Sequence, residues 1–186
     1  MGMPAQQTDW TAEMARALPE DGNRYEVLDG VLFVSPAPRP DHQAVVVRLI
    51  AILDAYVREH KLGWVFASPA DIEFSPRRYV QPDVFVVSDT GKGRPRSWRE
   101  ARPLSLVAEV LSQSTARADR TVKRPTYQSE RIPEYWIVDA DARLVECWRP
   151  EDERPAVIHV ILTWRPKEDV PPLEINLPEF FAAALD

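Results

Sequence analysis

Residues 104–111, "LSLVAEVL", decide how this chain is read. Apart from Ser105 and Glu109 every residue is apolar, so the segment reads as a strand covered on both faces. An ionised carboxylate in such a strand is costly unless a cation compensates it. Glu109 therefore demands Lys, Arg or a metal nearby. Upstream by 109 − 83 = 26 residues, Asp83 opens the apolar run "DVFVV" just after Pro82. The two strands are expected to be neighbours joined by the intervening basic loop. Two carboxylates at adjacent strand positions form a hard, oxygen-rich site suited to Mg²⁺ or Mn²⁺. The competing reading is structural: Glu109 paired with a nearby cation, Asp83 capping a turn after Pro82.

Lys123 lies downstream, in "ARADRTVKRPTYQSER", which reads as helical. It follows Asp119 by four residues, so a helix-surface ion pair is one expectation. The other is an ammonium projecting toward the two acids, where it orients water or stabilises a phosphoryl group. Glu26, in "RYEVLDG", is either a solvent-facing strand residue or a third carboxylate of the same site. His42 is expected on the surface of the first turn of a long helix, "HQAVVVRLIAILDAYVREHKLG", with Asp41 as its cap and Gly63 at its stop.

The remaining elements follow from local pattern. "TAEMARALP" is a short helix, part of an appendage over residues 1–19. "RYEVLDGVLFVSP" is a hairpin turning at Asp29-Gly30. "WVFAS", "DIEF", "YVQPDVFVVS", "EYWIVD", "RLVECWR" and "AVIHVILTW" read as strands, and "LEINLPEFFAAALD" as a strand and a helix beginning near Pro178. Mixed strands and helices with several hairpins give an α/β or α+β domain around a mixed sheet.

Composition narrows the function. The chain has 186 residues, 45% of them apolar, enough for one domain with a real core. Net charge is −6, so phosphate contacts need a local patch. "GKGRPRSWREARP" offers one, with Lys92, Arg94, Arg96 and Arg99, and Arg120 and Arg124 lie close in sequence to Lys123. The same residues also suit a solvated loop. Trp98 either stacks on a base or anchors that loop. A single Cys147 excludes an intramolecular disulfide or a Cys-cluster metal site. No run approaches a membrane span and no leader is visible, so a cytoplasmic protein is expected.

Taken in order, "RYEVLDGVLFVSPAP", "DHQAVVVRL", "VQPDVFVVS", "LVAEVLSQST", "DRTVK", Tyr127 and "IPEYWIVD" resemble the Uma-two family of restriction-endonuclease-like proteins, within the PD-(D/E)xK nuclease superfamily. The resemblance covers about residues 20–180. It implies a restriction-endonuclease-like core, a mixed sheet flanked by helices, hydrolysing phosphodiesters with Mg²⁺. Asp83 and Glu109 match the two motif acids and Glu26 the acid near the N-terminus, all three as metal ligands. The superfamily lysine two positions after the second acid is Leu111 here, and Lys123 matches the family's lysine on the following helix. The implied activity is a metal-dependent endonuclease, DNA being the expected substrate. Cutting both strands of a duplex is easiest with two sites related by a two-fold, so a homodimer is expected. The alternative is a nuclease fold retained as a binding or assembly module. Two departures stand out. Pro125 follows Lys123 closely and predicts a helix starting near Thr121 or later. Arg131 replaces the usual Gly where a left-handed cap is needed.

Overall fold

The computed structural model of the chain describes residues 9–112 and 115–186. Residues 1–8 of the expected appendage lie outside this range. Helix α1 (Ala12–Arg16) is capped by Thr11, whose hydroxyl accepts from the Met14 amide at 3.2 Å. Its buried Ala12 and Ala15 pack on Val27 and Tyr79. The hairpin β1 (Arg24–Leu28) and β2 (Val31–Ser35) turns at Asp29 and Gly30, whose φ angles of 51° and 83° match the positive values that turn requires. Helix α2 (Pro40–Glu59) starts one residue before Asp41, and Arg39 precedes it without a side-chain cap. Asp41 instead adds a favourable charge to the first turn.

Strands β3 (Gly63–Ala67), β4 (Ile72–Ser75), β5 (Arg78–Val80), β6 (Val84–Ser88) and β7 (Leu104–Val110) follow. A helical segment then runs through α3 (Ala116–Ala118), a π-helical turn (Asp119–Lys123) and α4 (Arg124–Ser129). The chain closes with β8 (Tyr135–Asp139), β9 (Leu144–Trp148), β10 (Ala156–Ile158), β11 (Ile161–Trp164), β12 (Leu173–Asn176) and α5 (Leu177–Leu185). The stretch "AVIHVILTW" is thus two strands, split at His159–Val160, that belong to different sheets.

A six-stranded sheet, ordered β10-β9-β8-β7-β6-β3, forms the centre. Only its β7–β8 pair is parallel, and the helical segment supplies the crossover that a parallel pair needs. Leu106, Ala108 and Val110 point to a layer containing α2, α5 and the β11–β12 pair. Val107, Phe85 and Ile137 point the other way, toward Leu28, Ile72 and Val80 of the four-stranded sheet β2-β1-β5-β4. Both faces of β7 are therefore covered, as its composition demands, and Glu109 shares the parity of Val107.

Pro125 does not delay the helix. In the π turn the Arg124 amide reaches back to the Asp119 carbonyl. The Arg120 carbonyl, left over by that shift, accepts from Arg124 Nε at 3.0 Å. Pro125, which has no N–H to give, thus sits in the first turn of α4 where proline is tolerated. Both long helical segments end in a Schellman motif. The amides of Leu62 and Ile132 reach the carbonyls of Val57 and Tyr127 at 2.9 and 3.1 Å. The left-handed residue is Lys61 in one and Arg131 in the other, with φ 53° and 57°. The stop of α2 is therefore Lys61 rather than Gly63. Replacing Arg131 by Gly removes a side-chain strain at that φ and is expected to raise stability by about 0.5–1 kcal/mol in urea unfolding. An unchanged or lower midpoint contradicts this account of the cap.

Candidate active site

The π turn turns two side chains inward that a helix surface would have exposed. Asp119 and Lys123 are both buried. Lys123 is therefore not a surface partner of Asp119. Its ammonium lies 2.8 Å from Glu26 Oε2, 3.1 Å from Glu109 Oε1 and 3.5 Å from Asp119 Oδ1. Glu26 is buried as well, because β1 lays the face carrying Arg24, Glu26 and Leu28 over the central sheet. Glu26 Oε1 accepts from the Gln81 amide at 2.8 Å. Tyr127, fully buried on α4, donates its hydroxyl to Glu109 Oε1 at 2.9 Å.

Asp83 stands at the mouth of β6, opposite Glu109 in the antiparallel β6–β7 register that pairs Val84 with Ala108. Its amide lies 3.4 Å from Glu109 Oε2. Its carboxylate accepts from the Val110 amide at 2.9 Å, ion-pairs with Arg24 at 2.5 Å and meets His42 Nε2 at 3.0 Å. His42 is thus a buried neighbour of Asp83, not a surface residue. The first turn of α2 ends against the site, which a helical periodicity alone cannot reveal. Arg24 was equally hidden: nothing but its spacing of two from Glu26 places both on one face of a strand.

The electrostatics follow from burial and from these partners. Burial pushes the Glu109 carboxyl up to about 8; Lys123 opposes this and the Asp83 charge adds to it. Asp119 also rises, mainly through burial. Burial acts the same way on Asp83, but the His42 hydrogen bond and the Arg24 charge outweigh it and hold Asp83 below the usual carboxylate range. Lys123 is lowered by burial, yet Glu109, Glu26 and Asp119 together hold it above the ordinary lysine value. It is a fixed cation.

The donors suit a hard divalent cation in chemistry and charge. Four carboxyl groups, Glu26, Asp83, Glu109 and Asp119, face the two fixed cations Lys123 and Arg24, an excess of −4 + 2 = −2 when all are ionised. Among the described residues, no three His, Cys, Asp or Glu side chains converge on one point as ligands. The reason is that Glu26 and Asp119 are turned onto Lys123. Glu26 is brought to the site as well, its Oε1 held by the Gln81 amide and its Oε2 lying 2.8 Å from the Lys123 ammonium. Asp83 and Glu109 adjoin each other across β6 and β7, and Mg²⁺ is commonly held by one or two carboxylates with waters completing its shell.

The expected nucleic-acid contacts fare differently. In an antiparallel hairpin the loop lies at the end opposite the open strand termini. Lys92, Arg94, Arg96 and Arg99 in the β6–β7 loop are therefore at the far end of the sheet from Asp83 and Glu109. Trp98 anchors that loop edge-on against Phe66 and Phe85 at 5.5 and 6.1 Å. Arg120 is committed to Asp139 and Glu146, at 3.1 and 2.7 Å, and Arg124 lies 4.5 Å over the Trp148 ring. The cations that border the clefts beside Asp83 are instead Arg24 and Arg39.

The family Uma2, described as putative restriction endonuclease, matches residues 12–184. The chain belongs to the Uma2 family. A solved structure, a putative nuclease belonging to DUF820 from Anabaena variabilis, shares its fold with a TM-score of 0.76 at 16% identity, over 94% of this chain and 99% of that one. No protein of curated function matches. No helix of this Uma2 protein, among the described residues, is long and apolar enough to cross a membrane.

Two measurements test the electrostatic account. Lys123→Ala leaves three buried carboxyl groups without their cation and is expected to cost about 3–5 kcal/mol of stability, as for a broken buried pair. A loss below about 1 kcal/mol places Lys123 at the surface after all. The raised Glu109 value predicts a pH slope. The stability linked to this group is full below its ordinary value of 4.5 and is lost as pH rises through about 8. Urea unfolding in chelator from pH 5 to 9 should show that decline, and Glu109→Gln should flatten it.

Proposed function

We propose that this Uma2 protein is a metal-dependent endonuclease that hydrolyses nucleic-acid phosphodiester bonds, DNA being the expected substrate. The observation that supports it most is the meeting of two strand acids with a helix-borne lysine at one buried point, Lys123 Nζ lying 3.1 Å from Glu109 and Glu109 adjoining the Asp83 amide. Asp83 and Glu109 would hold Mg²⁺ or Mn²⁺. Such an ion, when bound, supplies neutralisation of the phosphoryl oxygens and acidification of water.

The chain's own residues do the rest. Tyr127 and Lys123 fix Glu109 by its Oε1, leaving Oε2 turned toward Asp83. Val110, through its amide, and His42 orient Asp83. Lys123 keeps its proton and places a permanent positive charge where phosphoryl charge develops. Arg24, which is partly exposed, lines the cleft beside Asp83 and pairs with it, so it offers an incoming phosphate a cation at the site. The cleft that exposes Asp83 has a volume of about 390 Å³ and is lined by Arg24, His42 and Gln81.

The test is a cleavage assay on supercoiled, linear and single-stranded DNA and on RNA, with Mg²⁺, Mn²⁺ or chelator. Cleavage should require the ion and fall by about 100-fold or more in Asp83→Asn and Glu109→Gln. Cleavage that survives chelator or either substitution overturns the proposal. A folded protein that cuts none of the four substrates would leave the cluster as an ion network in a binding module.

A further inference from the structure

The basic loop is left without a role by its position at the far end of the sheet, yet it lines a cleft of about 820 Å³. That volume is typical of small-molecule sites. From Glu109 to Leu104, which lines this cleft, the strand descends five residues, about 17 Å at the usual rise. The cleft is thus separate from the acidic cluster.

Its walls are of two kinds. Trp64, Phe74, Val87 and Leu104 supply apolar walls. Four cations line the other parts: Lys92, Arg94, Arg102 and Arg131. Arg102 is held in place, its guanidinium 4.7 Å over the Phe74 ring and one N–H donated to the Glu73 carbonyl. Arg131 is drawn to Glu151. Neither Lys92 nor Arg94 has an acidic partner among the described residues. Of the two acids on the rim, Glu130 is taken by Arg78 at 2.8 Å. Glu100 accepts from the Arg96 amide through one oxygen, at 2.9 Å. Positive charge is therefore in excess in a protein whose net charge is −6.

We infer that this cleft binds a nucleotide, its phosphate on Lys92 and Arg94 and its base against Trp64. A bare inorganic anion would leave the aromatic side unused, and an apolar ligand would leave Lys92 without a counter-charge and Arg94 with only the Phe66 ring, 5.4 Å beneath its guanidinium. A flat ring carrying a phosphate satisfies both, by stacking and by charge-assisted hydrogen bonds. The same chemistry comes from a free nucleotide or from one unit of a strand. The inference does not depend on the nuclease reading, because it concerns binding at the other end of the sheet.

The experiment is calorimetric titration of the full chain with AMP, with no divalent ion present. Saturable one-to-one binding is expected, weakened about 10- to 100-fold in the double variant Lys92→Ala/Arg94→Ala. Both side chains are exposed, so the variant should melt at the wild-type temperature. Asp83→Asn should bind AMP as the wild type does. A 20-nucleotide single strand, of a length chosen to span well beyond the cleft, is then added in competition. Displacement of AMP that is lost in the double variant identifies a strand as the source, and no displacement identifies the free nucleotide. No saturable AMP binding, equal affinity in the double variant, or loss of binding in Asp83→Asn each overturns the inference.

Discussion

A single ammonium group holds the interior of this protein together. Lys123 Nζ faces Glu26, Glu109 and Asp119, which come from β1, β7 and the π turn. Without it, three carboxyl groups from three separate elements would be buried side by side, each costly alone and repelling the others. The small sheet and the crossover between β7 and β8 each deliver an acid to that ammonium, beside the apolar cluster that packs the two sheets together. The cluster is strained in charge rather than in geometry, since its carboxyl groups still outnumber its cations.

The π turn is the device that makes this possible. A regular helix would carry Asp119 and Lys123 four residues apart along one stripe, as an ordinary surface pair. One extra residue per turn changes which side chains face inward, and insertions of this kind often occur at functional sites. Pro125 is compatible with the arrangement for the same reason. The carbonyl of Arg120, displaced by the shift, is satisfied by the Arg124 side chain, so proline's missing N–H leaves nothing unpaired. The departure at Arg131 is likewise absorbed, by a Schellman cap whose left-handed residue keeps its side chain at an energetic cost.

Charge is distributed along the sheet as a gradient. One end of the β6–β7 hairpin carries Asp83 and Glu109, and the other carries the loop with Lys92 and Arg94. Antiparallel pairing enforces the separation: residues near in sequence across the loop are at the bottom, while those far apart are at the top. The cations beside Asp83 come from elsewhere, Arg24 from β1 and Arg39 from the start of α2.

Much of this was legible in the residues alone. The all-apolar strand around Glu109 specified a two-faced burial, because no other environment tolerates that composition. The Asp29-Gly30 turn, the long α2 stripe and the ordered strand motifs led to the mixed α/β fold that the solved nuclease structure bears out. Glu109 and Asp83 stand out as acids in apolar strands, Lys123 and Glu26 through the family resemblance, and the fold brings the four together. What the tertiary structure decided was direction. Whether Lys123 points in or out depends on one residue of helical phase, and local sequence does not set that phase. Whether His42 and Arg24 reach Asp83 depends on where a helix end and a strand of another sheet are docked. Whether a basic loop serves the acids depends on which end of a hairpin it occupies. Each is a long-range relation, fixed by packing between segments far apart in the chain, and linear spacing carries no record of it.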